Sequence, residues 1–278
     1  MVIFYKTDII DIRKVRTLYK CMNGGLSMKK NIRHFFLLTA LAAGSIHFVN
    51  RFINATADIK NILKSETGDY FDWKNGKIYY TKRGTGNPLL LIHDLDPVSS
   101  SYEWCKVIRK LEKKHTVYTL DLLGCGRSDK PYLTYTNYLY VQLITDFIHQ
   151  IIGEKPDVIV SNESISFAVL AANMDKNLMN SIIAINPTAL KDLRITTDKY
   201  ASIRKTLFEL PILGTFLYNL KVSNTSITRN FRTEYYAKPQ FISSKLIDAY
   251  YEAAHMNFSH GKYLMGSMEA NYTKNSIE

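Results

Sequence analysis

Cysteine is scarce in this 278-residue chain: Cys21, Cys105 and Cys125 are the whole complement, and no C-x-x-C pair or Cys/His spacing joins them. An odd, scattered set of this kind argues against a disulfide framework and against a structural zinc site. Repeats and low-complexity tracts are missing too, which excludes solenoid and biased-composition classes. Acidic residues are outnumbered, 25 against 36 basic, for a formal charge of +11. The excess is unevenly spread. Residues 1–60 hold ten Lys/Arg against three Asp, which leaves only +4 for residues 61–278. That larger part has no basic stripe interleaved with aromatics, so nucleic acid is not an expected partner. Beyond residue 60 there is also no apolar run of membrane-spanning length.

What is present is an ordinary globular composition, 46% hydrophobic and 22% charged, in a chain long enough for one large α/β domain or two small ones. Near the start, Lys29, Lys30 and Arg33 precede a fifteen-residue apolar stretch, Phe35–Val49. A spanning helix needs about 20 apolar residues, and Ile32 with Phe52-Ile53 extend the stretch as interfacial flanks. Three readings stay open for 28–60: an uncleaved anchor with membrane contact through 29–53, a cleaved signal, or a buried helix. Basic residues ahead of the stretch set the main domain outside the cytoplasm if it inserts; without insertion the chain stays cytoplasmic. Residues 1–27 are basic and lack helix caps, and Met28-Lys29-Lys30 is a common opening of membrane-targeted chains. An over-extended start is therefore expected there.

From about Tyr70 the pattern alternates strand and helix. "GKIYYTKRG" and "PLLLIHD" predict two strands joined by a turn-rich, hairpin-like link at Gly84–Pro88. The second is a continuous apolar run, as expected of a strand buried on both faces. Trp104, Val107, Ile108 and Leu111 predict an amphipathic helix. "HTVYTLDLL" predicts a strand, and Leu143–Ile151 a longer helix capped by Thr136 or Asn137. Asp157–Ser161, Ile165–Met174 and Ser181–Asn186 predict strand, helix, strand. The fold class is thus α/β, a mostly parallel sheet with flanking helices. From Ala189 only helices are expected, interrupted at Pro211 and Pro239, with a polar tail at 273–278.

In open α/β sheets ligands sit at the carboxyl ends of the strands. Three such ends carry chemistry: His93-Asp94-Leu95, Asp121–Ser128, and Asn162-Glu163-Ser164-Ile165-Ser166 at a sharp strand-to-helix turn. Four ordered motifs, "LLLIHD", "DLLGCGRSDKP", "SNESIS" and "AINP", resemble the α/β-hydrolase superfamily, in the branch with a helical lid. The resemblance covers roughly residues 70–272, with 61–188 as core and 189–272 as lid. It implies Ser164 as nucleophile, the backbone N–H groups of Leu95 and Ile165 as oxyanion hole, and His93, Asp94, Asp121, Gly124, Gly126, Arg127 and Ser128 as loop support. It implies acyl transfer on a small apolar ester-like substrate, without metal or organic cofactor. Tyr235, Tyr250 and other aromatics of the helical stretch would close over that substrate or pack as its own core.

Departures from the family pattern are plain. Neither glycine of G-x-S-x-G is present around Ser164, and Asp94 stands where the family has glycine. The end of the sixth strand, Asn186-Pro187, carries no carboxylate, and only His255 and His260 follow the serine. The expectation is a chain truncated before its last two strands, weakly active or inactive. The other reading is a non-catalytic binding or scaffold protein at a membrane.

Overall fold

A computed structural model of the chain describes residues 30–57, 59–188 and 195–274. The expectations for residues 1–27, for 189–194 and for 275–278 lie outside the described residues. The chain divides into two units, 1–45 and 46–278. In the first, the described part is the beginning of helix α1 (Lys30–Thr56), in which Phe35, Phe36, Leu37, Leu38 and Leu41 are exposed. The stretch Ile32–Thr56, 25 residues with an 18-residue window of mean hydropathy 1.4, is long and apolar enough to cross a membrane by length and composition.

The second unit is built on a six-stranded sheet: β1 (Asp69–Trp73), β2 (Gly76–Arg83), β3 (Asn87–Ile92), β4 (His115–Leu120), β5 (Asp157–Ser161) and β6 (Ser181–Ile185). The spatial order is β1-β2-β4-β3-β5-β6. β1 and β2 form an antiparallel hairpin, and β2 runs antiparallel to β4. The pairs β3–β4, β3–β5 and β5–β6 are parallel. The mostly parallel sheet is therefore present, but the hairpin-like link at Gly84–Pro88 is not. β4 lies between β2 and β3. Leu89 to Ile92 are buried on both faces and belong in mid-sheet, whereas alternating β2 suits a place nearer the edge. Gly84 makes this sharp departure with φ +78°, and a Cβ there would stand 2.3 Å from the Glu112 carbonyl oxygen.

Strand alternation divides the core into two layers. Leu90, Ile92, Leu120, Val158 and Val160 face helices α3 (Asn137–Phe147) and α4 (Ser164–Met174). Leu89, Leu91 and Val117 face Trp104 and Ile108 on the other side. Each such side chain contributes about 1.5–3 kcal/mol by leaving water. The amphipathic helix expected from Trp104 to Leu111 is broken: a tight turn at Ser101–Trp104 is followed by the short α2 (Ile108–Leu111). Thr136 caps α3, accepting from the Leu139 N–H.

The later helices are α5 (Ala201–Glu209), α6 (Leu213–Lys221), α7 (Asn224–Asn230, continued by a wider turn to Tyr235), α8 (Ser244–Ser259) and α9 (Lys262–Glu269). Pro211 separates α5 from α6, since it supplies no N–H to continue the ladder. α8 changes course at its end, where Asn257, Phe258 and Ser259 all take positive φ near 57–60°. The last part of α1 docks on this layer: the buried Asn50 donates to the Ile212 carbonyl and accepts from Asn219, and Asn54 accepts from Ser259.

Candidate active site

The loop after β4 is built around an ion pair. Asp121 is fully buried and takes the Arg127 guanidinium through Nε at 2.8 Å and Nη2 at 3.1 Å. Its carboxylate also accepts the backbone N–H groups of Ser101 and Arg127. Burial alone would raise the Asp121 pKa, but Arg127 overrides it and holds the carboxyl well below the usual range. Arg127 reaches on to Glu66 and Ser101 and stacks over Tyr79. Ser128 bridges the Asp121 carbonyl and the Tyr79 N–H. Gly124 and Gly126 both have positive φ, and at Gly126 an added Cβ would lie 2.3 Å from an Asp121 carboxylate oxygen. This loop is a scaffold that sets the height of its neighbours.

His93, at the end of β3, is buried and neutral, because burial lowers its pKa. Its Nε2 accepts from the Leu122 N–H at 2.9 Å, which leaves the proton on Nδ1 to be donated to the Asp94 carbonyl at 2.6 Å. Both ring nitrogens are thereby committed, and the imidazole pins β3 to β4.

At the strand-to-helix turn after β5, the positive φ, +45°, belongs to Asn162. Glu163 follows at the apex, and Ser164 is already the first residue of α4. Ser164 is fully buried and donates to the His93 carbonyl at 2.7 Å. Among the described residues, no imidazole or carboxylate accepts from it. The Ile165 N–H points to the Asn162 carbonyl at 3.4 Å. The Glu163 carboxylate forms an ion pair with Lys274. His255 is enclosed in α8 between Tyr218 and Tyr251, donates to the Tyr251 carbonyl, and is pushed down to about 4 by burial. His260 is also lowered by burial; neither histidine hydrogen-bonds to Ser164.

The acids of this end converge instead. Asp94 accepts from Asn162 Nδ2 at 3.0 Å and from the Glu163 N–H at 3.2 Å, so it takes up a donor at the apex of the turn. Burial lifts its pKa to about 6. Glu103 accepts the Asp94 N–H at 3.1 Å, and burial pushes it to about 7 against the lowering effect of Ser161. Asp96 is likewise raised to about 7 by burial. Asp94 and Glu103 line a cleft of about 210 Å³ with Asn162, Asn186, Tyr235 and Tyr250. A second cavity of about 470 Å³ runs from Asp96 to α6 and α9, and shares Phe231 and Tyr235 with the first.

Sequence reasoning reached Asp94, Ser164 and the turn that carries Glu163, but gave Glu163 no role and did not reach Glu103 or Asp96. A signal for Glu103 existed: Ser100-x-x-Glu103 reads as a capping box, in which the acid folds back on nearby backbone. Here it folds back on Asp94. For Glu163 the signal was the end of β5 at Ser161, which leaves two turn residues before Ser164. No group of three or more metal-ligating side chains occurs among the described residues.

No family model matches the chain. Over 110 residues it is 27% identical to the soluble epoxide hydrolase of Corynebacterium sp. (strain C12), covering 40% of this chain and 38% of that one. Over 113 residues it is 27% identical to the 2-hydroxy-6-oxo-6-(2'-aminophenyl)hexa-2,4-dienoic acid hydrolase of Metapseudomonas resinovorans, covering 40% and 39%. The matched region thus spans well under half the length of these relatives, both of them hydrolases. Among solved structures, wild-type Cfl2 from Burkholderia cenocepacia superposes with a TM-score of 0.59 at 14% identity, covering 73% of this chain and 71% of that one. An alpha/beta hydrolase fold protein from Burkholderia ambifaria gives 0.51 at 18%, covering 73% and 76%.

Proposed function

With the α/β-hydrolase fold as premise, we propose that this chain binds a small, largely apolar ester-like molecule in the cleft at the carboxyl ends of β3 and β5, and hydrolyses it weakly. Helices α5 to α9 act as its lid, and α1 holds it at a membrane with the folded unit outside the cytoplasm. The carrying observation is the cleft itself: aromatic walls from Tyr235 and Tyr250 meet two half-buried acids, Asp94 and Glu103. Aromatic walls that meet convergent polar groups suit a small molecule with both apolar and polar parts.

Acyl transfer in this fold assigns the attack to Ser164. To act, its Oγ must leave the His93 carbonyl and find a proton acceptor, and the Asp94 carboxylate must yield the turn's backbone donors to a developing oxyanion. A serine without its base retains only about 10³–10⁴ of rate over water. The same burial of Ser164 favours a second reading, a binding protein without turnover.

A fluorophosphonate probe together with a chromogenic aromatic ester separates the readings. The expected result is saturable ester binding, with weak labelling that Ser164→Ala abolishes and slow turnover that it reduces by about tenfold or less, since little of the triad's contribution is in place. Rapid, Ser164-dependent labelling would show an assembled catalytic site and overturn the weak-hydrolase reading. Saturable binding with no turnover above the uncatalysed rate, in the parent as in Ser164→Ala, would support the binding protein.

A further inference from the structure

The end of α1 has two faces. Asn50 and Asn54, four residues apart, turn inward to hydrogen bonds with Ile212, Asn219 and Ser259. Phe48 and Phe52, with the same spacing, turn outward and are 71% and 63% exposed. Beside them stands Phe258, 64% exposed, brought there by the left-handed run at the end of α8. Phe48, Phe52 and Phe258 share one open recess of about 280 Å³ with Arg51, Asn54 and Ala55. A non-glycine residue at φ +57° is sterically costly, so a conformation that only carries a phenyl ring into water gains nothing to offset it.

We propose that the Phe48–Phe52–Phe258 face rests in the headgroup–acyl boundary of a lipid bilayer. This rests on the reading of α1 as a bilayer-spanning helix and goes further, because it assigns a second contact to the folded unit. Three features commit the occupant to lipid. The face is continuous with a 25-residue helix of spanning length and composition. Its residues are aromatic with one cation, Arg51, the combination that suits the boundary between phosphate and acyl chain. The inward side of the same helix segment is already satisfied by asparagine hydrogen bonds, so the outward side is left to solvent or lipid. The arrangement has a use. α8 carries Tyr250 in the cleft wall and Phe258 about two turns later, so a lipid-dissolved ligand would reach the cleft along one helix.

The test is tryptophan quenching in the full chain, reconstituted into vesicles of phosphatidylcholine with brominated acyl chains. The native Trp73 and Trp104 are buried and serve as background. Three exposed sites are compared: Phe36→Trp within α1, Phe258→Trp on the proposed face, and Met174→Trp at the far end of α4. F36W and F258W should each lose about half or more of the added emission relative to unbrominated vesicles, and M174W should lose none. Phe48→Trp repeats the measurement should F258W fold poorly. Quenching of F36W with F258W and F48W behaving like M174W would overturn the docking face while leaving the anchor intact. Absence of quenching in F36W would remove the anchor and this proposal with it.

Discussion

Asp94 and Glu103 titrate where few carboxyls do. Burial raises Asp94 to about 6 and Glu103 to about 7, above the ordinary carboxyl range. The folded chain therefore holds these protons over a window in which the unfolded chain has lost them. The resulting stability is present in full below about pH 4 and is lost as pH rises through 6 and 7. The buried neutral histidines work the other way: His93 and His255 have lowered values, so their contribution is lost as pH falls through the acid range. A difference between two proteins isolates the acid. Between pH 5 and 8 the stability of the parent relative to Glu103→Gln should fall by about 1–3 kcal/mol, read from urea midpoints at each pH. A flat difference would mean that Glu103 is ionised throughout. The same acids bear on binding. A neutral apolar ester should bind less tightly as pH rises from 5.5 to 8, since two ionised carboxylates then have to be desolvated beside it. Calorimetric titration at both values checks this. A third residue-scale expectation concerns the buried pair. Arg127→Leu leaves the Asp121 carboxylate at 0% exposure without its cation, and should cost about 3–5 kcal/mol in chemical denaturation.

Elements were legible where a single periodicity governed them. Leu89–Ile92 is unbroken apolar and lies in mid-sheet, and the i, i+3, i+4 spacing of Leu143, Ile144 and Phe147 marks a buried face of α3. Misreadings came where a local signal competed with a long-range one. The turn-rich Gly84–Asn87 looked like a hairpin, but strand pairing is decided by which faces are buried, and β4 has the apolar faces to separate β2 from β3. The apolar spacing from Trp104 to Leu111 was real as packing, yet it is carried by a tight turn and four helical residues. β6 raises a different matter. Its Ile183 and Ile185 are 50% and 44% exposed, and among the described residues it pairs with β5 alone. Such an edge offers unpaired backbone and apolar surface to other chains. Ile183→Lys should lower the sedimentation-average mass of the protein while changing monomer stability by no more than about 0.5 kcal/mol. Unchanged association would place the contact elsewhere.

At the scale of the whole molecule, the end of the sheet that bears the site was legible because topology alone dictates it. The identity of the side chains facing the cleft was not, since it depends on an offset of two residues at the turn after β5. There the left-handed residue is Asn162, Glu163 takes the apex, and Ser164 passes into the helix. A one-dimensional motif does not show that shift. Arg127 carries a further consequence. Through Asp121, Ser101 and Glu66 it ties together segments up to 61 positions apart in the chain. The amides of Ser101 and Arg127 have Asp121 oxygens as acceptors, and the amide of Tyr79 has Ser128, itself anchored on Asp121. The first two cannot be released while the Asp121 carboxylate stays in place, nor the third while the Asp121 carbonyl holds Ser128. In deuterated solvent they should thus exchange as a single group, with one protection factor and one denaturant slope, while the amides of the α8 terminus at 257–259 open independently and sooner.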